Sequence, residues 1–159
     1  MHFLLDWWST ARGAGDLPDR RDLDPVALKP LMPWLLIAEA TRPPFKIRYR
    51  LVGTGVAQYS GFDFTGGYLD ELWPGEAAKR FTGYYQQVHD SRAPLFGSAT
   101  EPTTAGTEFT YEFAIIPLTR GGTAVEQFVC VEDYFGFQPV SAQWSRGRLA
   151  ESGLPYVLG

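Results

Sequence analysis

Residues 48–72 read RYRLVGTGVAQYSGFDFTGGYLDEL, a strand-like run set directly against a cluster of glycines. Two folds are compatible with such a stretch. One is a phosphate-cradling loop, the other a sheet that turns into short helices. A phosphate loop needs backbone amides at a helix N-terminus, followed by Lys and Ser or Thr aimed at phosphate and metal. No Gly-Lys-Ser/Thr follows here, and the three-glycine spacing of a dinucleotide fold is missing. The glycines therefore serve turns, where freedom at positive φ is needed. Gly53 and Gly55 end a strand, 56–60 makes one or two helical turns, and Gly61 suits the left-handed position after them. Gly66 and Gly67 precede a second short helix over 68–72.

The pattern extends outward on both sides. Upstream, Phe45, Ile47, Tyr49 and Leu51 alternate with Lys46, Arg48 and Arg50, which predicts a strand over 45–52 with those four apolar residues on one face. Pro43 and Pro44 turn the chain, and WLLIAEAT (34–41) reads as a buried partner strand. Asp24 and Pro25 have the chemistry of an N-cap and first helical residue, and Pro30 and Pro33 keep that helix short. Phe3, Leu4, Trp7 and Trp8 have helical spacing, which predicts a helix over 3–12, and 13–23 reads as a loop. Downstream, Phe81, Tyr84, Tyr85 and Val88 form the apolar stripe of a longer helix from about 75 to 91. Three strands close the chain, over 94–100, 107–118 and 124–135. Phe109, Tyr111, Phe113 and Ile115 share a face of the second, and Arg120-Gly121-Gly122 marks the turn that pairs the last two.

The chain has 159 residues, 45% of them apolar and 20% charged, which fits one domain with a real core. Its net charge of −4 comes with no block of Lys or Arg, which argues against a nucleic-acid partner. No segment reaches the ~20 apolar residues of a membrane span, and the terminus MHFLLDWW lacks the basic region of a signal peptide. The single Cys130 excludes an internal disulfide and a Cys-rich metal site. A cytoplasmic protein is expected.

Two strands, short helices, one longer helix and three strands is the order of a PAS domain. The segments DWWSTARGAGDLPDRRDLDPVALKPLMPWLLIAEA, KIRYRLVGTGVAQYSGFDFTGGYLDEL and VHDSRAPLFG resemble the short stand-alone bacterial PAS proteins of the type-five family. The likeness covers about 3–135, with 48–72 its most specific part and Pro30 a departure. It implies an α+β fold: an antiparallel five-stranded sheet, short helices and one longer helix on one face, and an N-terminal helix. It divides the chain into an N-terminal helix and loop (1–23), a PAS-like domain (24–135) and a C-terminal tail (136–159). It also implies a sensory or regulatory module rather than a catalyst.

Few residues qualify as chemical groups. His2 is terminal, and His89 lies near the C-terminal end of the longer helix, where the helix dipole favours a cation. Haem-binding PAS domains place their histidine earlier in that helix, near Lys79, Arg80 and Phe81 here, and none of these is the usual ligand. Cys130 alternates with Phe128 and Glu132 on a strand and reads as a small buried hydrophobe. The flavin-adduct thiol of light-sensing PAS domains lies instead in a helix motif that this chain lacks. Asp70–Glu71 and Glu132–Asp133 are adjacent pairs whose side chains diverge. Arg48 and Arg50 are placed to pair with Glu39, Glu108 or Glu112. No catalytic residue, metal ligand or cofactor is assigned.

The aromatic share of 15% is high. Tyr49, Tyr59, Phe62, Trp73, Phe81, Tyr85, Tyr111, Phe113 and Phe128 are expected between sheet and helices, as core or as the wall of a ligand pocket. Adjacent Trp7 and Trp8 point apart on a helix. Either one of them joins Phe3 and Leu4 in a homodimer interface, or both fold back on the chain's own sheet. The leading expectation is a sensory module acting on an unidentified signalling protein, with or without a small apolar or aromatic ligand, and without nucleic acid or membrane. The alternatives are a small isomerase- or lyase-like enzyme with an acid/tyrosine pocket drawn from Tyr49, Tyr111 and Asp63, or a ligand-free interaction scaffold.

Overall fold

The computed structural model describes residues 2–12, 17–73, 75–102 and 108–134; the tail 136–159 lies outside the described residues. In chain order the elements are α1 (His2–Ala11), 3-10 turns at Arg20–Asp22 and Lys29–Trp34, β1 (Leu35–Thr41), β2 (Lys46–Val52), α2 (Thr54–Ser60), α3 (Leu69–Leu72), α4 (Glu76–Ser91), β3 (Leu95–Pro102), β4 (Glu108–Leu118) and β5 (Gln127–Asp133). The strands form one five-stranded sheet in the order β2-β1-β5-β4-β3, every neighbouring pair antiparallel. This is the α+β architecture expected from the strand and helix order.

Alternation along the strands gives the sheet two apolar faces. On the inner face Leu36, Ala38, Ile47, Tyr49, Tyr111, Phe113, Ile115, Phe128 and Cys130 cluster with Val56 and Tyr59 of α2, Leu69 of α3, and Ala78, Tyr85 and Val88 of α4. On the outer face Leu35, Ile37, Phe96, Ala114, Ile116, Leu118, Val129 and Val131 cluster with Leu4 of α1 and with Leu23 and Leu28. Leu4 is 1% exposed. Burial of such a side chain contributes roughly 1.5–3 kcal/mol, enough to fix α1 on the sheet. Asp6, Ser9 and Thr10 occupy its exposed side.

The glycines of the opening stretch answer to packing as well as to turns. A Cβ on Gly53 would stand 2.4 Å from the Pro33 carbonyl oxygen, and one on Gly55 would stand 2.5 Å from the Trp34 ring. The missing side chains let α2 press against the Lys29–Trp34 turn. Gly61 follows α2 at φ 75°, in the expected left-handed position.

Three local expectations change. First, Leu51 does not join Ile47 and Tyr49. The β1–β2 register shifts between Ile37 and Ala38, which pair with Leu51 and Tyr49, so Arg50 is an extra residue. That irregularity reverses the alternation, and Leu51 emerges 37% exposed. Second, β4 and β5 pair directly, but their connection is 119–126 rather than a tight Gly-Gly turn. The cause lies upstream. Thr119 is held by Pro18 and Arg20, whose backbones it bonds at 3.0 and 2.9 Å, so the loop follows that segment. Third, Asp24 caps a turn rather than an α-helix, its carboxylate accepting the Val26 amide at 2.8 Å. Pro30 and Pro33 lack the amide an α-helix needs, and the segment continues as 3-10.

Candidate ligand site between sheet and helices

The site is built around the inner row of β5. Phe128, Cys130 and Glu132 alternate along it, and Tyr134 continues the row. The apolar stripe of α4 sets Tyr85 above this row, and its hydroxyl lies 3.2 Å from the Cys130 sulfur. Tyr49 of β2 also hydrogen-bonds Tyr85. Burial raises both phenols well above their ordinary range and pushes the Cys130 thiol up to about 12. All three groups are therefore neutral near pH 7. A thiol held in this form is a poor nucleophile.

Glu132 differs from its neighbours. Its carboxylate accepts a hydrogen bond from the Tyr134 hydroxyl. Burial pushes its carboxyl up to about 7, and the Tyr134 bond only partly offsets that. Its charge is felt by Cys130 and Tyr49. Sequence alternation placed Glu132 on the face of the buried Cys130, and the residue is half-buried there.

The nine aromatics nominated from sequence all join the inner cluster, with Phe62, Trp73 and Phe81 half-buried. Their rings meet in local clusters. Tyr49 meets Phe64 at 4.9 Å and Trp73 at 6.0 Å between ring centres, and Phe62 lies 5.8 Å from Phe64. Phe81 lies 5.7 Å from Phe113, while Tyr85 stands edge-on to Phe128 at 5.0 Å. Tyr134 is sandwiched by Tyr59 at 4.1 Å and Tyr111 at 5.1 Å, with Trp34 tilted against it at 5.6 Å. Phe64, Trp34 and Tyr134 were not singled out in the sequence; continuing the β5 alternation by two residues would have found Tyr134.

At one end the interior opens into a notch. The first residue of β1, Leu35, pairs with Val131, so β5 runs past its neighbour. Leu4, Leu31, Trp34, Val131, Glu132, Asp133 and Tyr134 line an open cavity of about 260 Å³ there.

The other nominated groups lie elsewhere. Asp63 is exposed and accepts the Thr65 amide at 2.9 Å, so it does not join Tyr49 and Tyr111 in an acid/tyrosine pocket. The carboxylate beside a tyrosine is Glu132. His89 has Asp90 Oδ1 2.8 Å from Nδ1 and Arg42 Nη2 2.6 Å from Nε2. Nδ1–H donating to Asp90 with Nε2 accepting from Arg42 uses both ring nitrogens. Arg50 pairs with Glu39 at 3.6 Å, while Arg48 donates to the Gly66 carbonyl at 3.1 Å. Of the N-terminal aromatics, Trp7 and Trp8 are half-buried and both pack against the outer cluster, while Leu4 lies within it. The Phe3 side chain lies outside the described residues. Among the described residues no group of three His, Cys, Asp or Glu could hold a metal ion. No described helix is long and apolar enough to cross a membrane.

An antiparallel sheet in this strand order, with brief helices and one longer helix over an aromatic inner face, defines a PAS-type α+β domain. A family model described as PAS domain, of the fifth type, matches residues 1–131, and the chain belongs to that family. No curated protein matches the chain. Among solved structures, the chain is similar to a light-oxygen-voltage (LOV) domain studied with a flavin analogue, at 14% identity, covering 67% of this chain and 80% of that one with a TM-score of 0.50. It is also similar to the light-state LOV domain of the photoreceptor aureochrome1, at 16% identity, 69% and 87% coverage and a TM-score of 0.49. A LOV protein of Rhodobacter sphaeroides matches at 11% identity, 72% and 69% coverage and a TM-score of 0.49.

Proposed function

We propose that the chain is a cytoplasmic sensory module that acts by protein–protein contact, with a small ligand between sheet and helices biasing that contact. The observation that carries this reading is the double role of β5. Its inner residues Phe128 and Cys130 pack with Tyr85 of α4, and its outer residues Val129 and Val131 pack in the cluster that contains Leu4 of α1. A ligand that favours one arrangement of the inner residues therefore biases the seat of α1 through one strand. That is a population shift, limited by the ligand's differential affinity for the two arrangements.

The partner in this reading is first a second copy of the chain, met through α1. Leu4 anchors that helix, and the half-buried Trp7 and Trp8 supply the apolar surface a second copy covers. An unidentified signalling protein is the downstream contact. No cofactor enters the proposal. One similar structure is named for a flavin analogue, but the one thiol here sits on a strand in hydrogen bond with Tyr85, outside the helix motif of flavin-adduct thiols. Native mass spectrometry of the purified chain, with sedimentation of Trp7→Ala and Trp8→Ala, tests the proposal. A dimer that weakens in either variant supports it; a monomer at all concentrations, with neither variant different, refutes it.

Glu132 favours a second reading. A carboxyl group poised near neutral pH beside a tyrosine hydroxyl is the equipment of a proton-transferring isomerase or lyase. Its test is solvent-deuterium exchange into small carbonyl compounds, abolished in Glu132→Gln.

A further inference from the structure

The turn between β1 and β2 meets the end of α4 at His89. That residue sits in the last turn of the helix, and its side chain is 19% exposed. The Arg42 guanidinium reaches it from the turn, with Nη2 2.6 Å from Nε2 and 3.0 Å from Nδ1. Asp90 Oδ1 lies 2.8 Å from Nδ1. Arg42 also lies over the Phe45 ring at 5.4 Å, and Phe45 meets the His89 ring edge-on at 5.7 Å. Arg42 and Phe45 flank Pro43 and Pro44, so this turn touches the helix through one cation and one aromatic ring.

A guanidinium offers donors only, and arginine keeps its charge throughout the working range of a protein. Its contact with His89 therefore needs a ring nitrogen without a proton. Asp90 decides which one. A carboxylate accepts, so the proton sits on Nδ1, and Nε2 is left with its lone pair towards Arg42. A second proton on the ring goes to Nε2. The contact then sets N–H against N–H and cation against cation at close range. The imidazolium has support of its own, because Asp90 stays beside Nδ1 and the C-terminal end of a helix favours positive charge. The group that has to leave is Arg42.

The neighbours fit that division. Gln86 donates to both Asp90 oxygens, at 2.9 and 3.0 Å, and keeps the carboxylate on the helix. Arg92 donates to the Thr123 carbonyl at 2.9 Å. Among the described residues, Arg42 and Asp90 are the charged groups in contact with the ring. Further along β2, Tyr49 remains bonded to Tyr85 of α4, which confines a release to the turn.

We propose that His89 is a proton-operated latch: the neutral ring holds the β1–β2 turn to the end of α4 through Arg42, and the imidazolium releases it. The inference goes beyond the regulatory reading and does not depend on a ligand, since it gives the domain a response to pH of its own. Imidazole is the side chain suited to a change of charge between about pH 5 and 8, which sets the two conditions to compare.

The test is nuclear magnetic resonance of the full chain. At about pH 8 the ring-nitrogen shifts of His89 should show the Nδ1–H tautomer, and at about pH 5 both nitrogens protonated. The signals of His2, the other histidine, are recognised by their loss in His2→Gln. Amide exchange of Thr41, Arg42, Phe45 and Lys46, corrected for its intrinsic rate, should be at least ~5-fold faster at the lower pH. The amides of Tyr85 and Val88, within α4, serve as the reference and should not share that change. His89→Gln keeps one donor and one acceptor but cannot take up a proton, so its turn should stay slow at both values. An Nε2–H tautomer at about pH 8, an acceleration shared equally by the α4 reference, or no acceleration at all overturns the inference. So does the same acceleration in His89→Gln. The tautomer and the exchange of the unaltered chain decide the matter even if that variant fails to fold.

Discussion

The Tyr85 hydroxyl lies 3.2 Å from the Cys130 sulfur, so one polar contact ties the longest helix to the central strand of the sheet. Tyr85 is 3% exposed and Cys130 4%. Tyr85→Phe keeps the ring against Phe128 and removes only the hydroxyl shared with Cys130 and Tyr49. The expected loss in urea unfolding is about 1 kcal/mol. With its thiol at about 12, Cys130 in the folded chain should react with iodoacetamide at pH 8 only through unfolding, because roughly one molecule in 10⁴ carries a thiolate.

Gly55 and Gly83 should respond oppositely to alanine. A Cβ at Gly55 meets the Trp34 ring at 2.5 Å, whereas one at Gly83, within α4, meets nothing within 4 Å. Gly55→Ala is expected to destabilise the chain by roughly 1–3 kcal/mol through overpacking. Gly83→Ala should stabilise it by about 0.5–1 kcal/mol, because a helix interior restricts glycine more than alanine. Thermal melting of the two variants checks both signs.

Stability should fall as pH rises through neutrality, and Glu132 should be a principal cause. Its carboxyl titrates at 4.5 when unfolded and at about 7 when folded. Between those values the native state holds a proton that the unfolded state has released. The contribution is thus fully present below about pH 4.5 and lost as pH passes 7. The difference amounts to about 2–3 kcal/mol after allowance for partial exposure. Without ligand, Glu132→Gln should therefore exceed the parent in stability at pH 8 and match it near pH 4, as urea midpoints would show.

Asp19 joins the N-terminal segment to the far end of β4. Its carboxylate accepts the Arg21 amide at 3.0 Å and Nε at 2.8 Å, the Thr119 hydroxyl at 3.1 Å and the Gly121 amide at 2.5 Å. The bonds to Arg21, then that to Gly121, hold its carboxyl well below the usual carboxylate range. Asp19→Ala should cost about 1–2 kcal/mol at pH 7. A depressed folded-state value means that this stability exists above the unfolded pKa of 3.8 and fades as pH falls through the lower folded one. The penalty should therefore shrink in strong acid.

Features repeated along the chain were legible in its residues. Tyr111, Phe113 and Ile115 at alternate positions fixed the inner face of β4, and the absence of Lys after the glycines ruled out a phosphate loop. Features that depend on what another segment does were not. Arg50 looks like any other strand residue, and only the register against Ile37 and Ala38 makes it the extra one that turns Leu51 outward. The loop 119–126 follows Pro18 and Arg20, about a hundred residues upstream. Glu132 shares the face of Cys130 in the alternation, but only the start of β1 at Leu35 leaves the end of β5 to border the notch beside Trp34.

Gly66 and Gly67 have one more effect. The Gly66 amide donates to the Tyr49 carbonyl at 2.7 Å, and the Tyr49 amide donates to the Gly67 carbonyl at 3.0 Å. These bonds occupy backbone groups on the flank of β2 that would otherwise recruit a foreign strand. β3, at the opposite margin of the sheet, carries no such bumper among the described residues. Among the described residues, fibre growth or strand borrowing thus meets a blunted side at β2 and an unblunted one at β3.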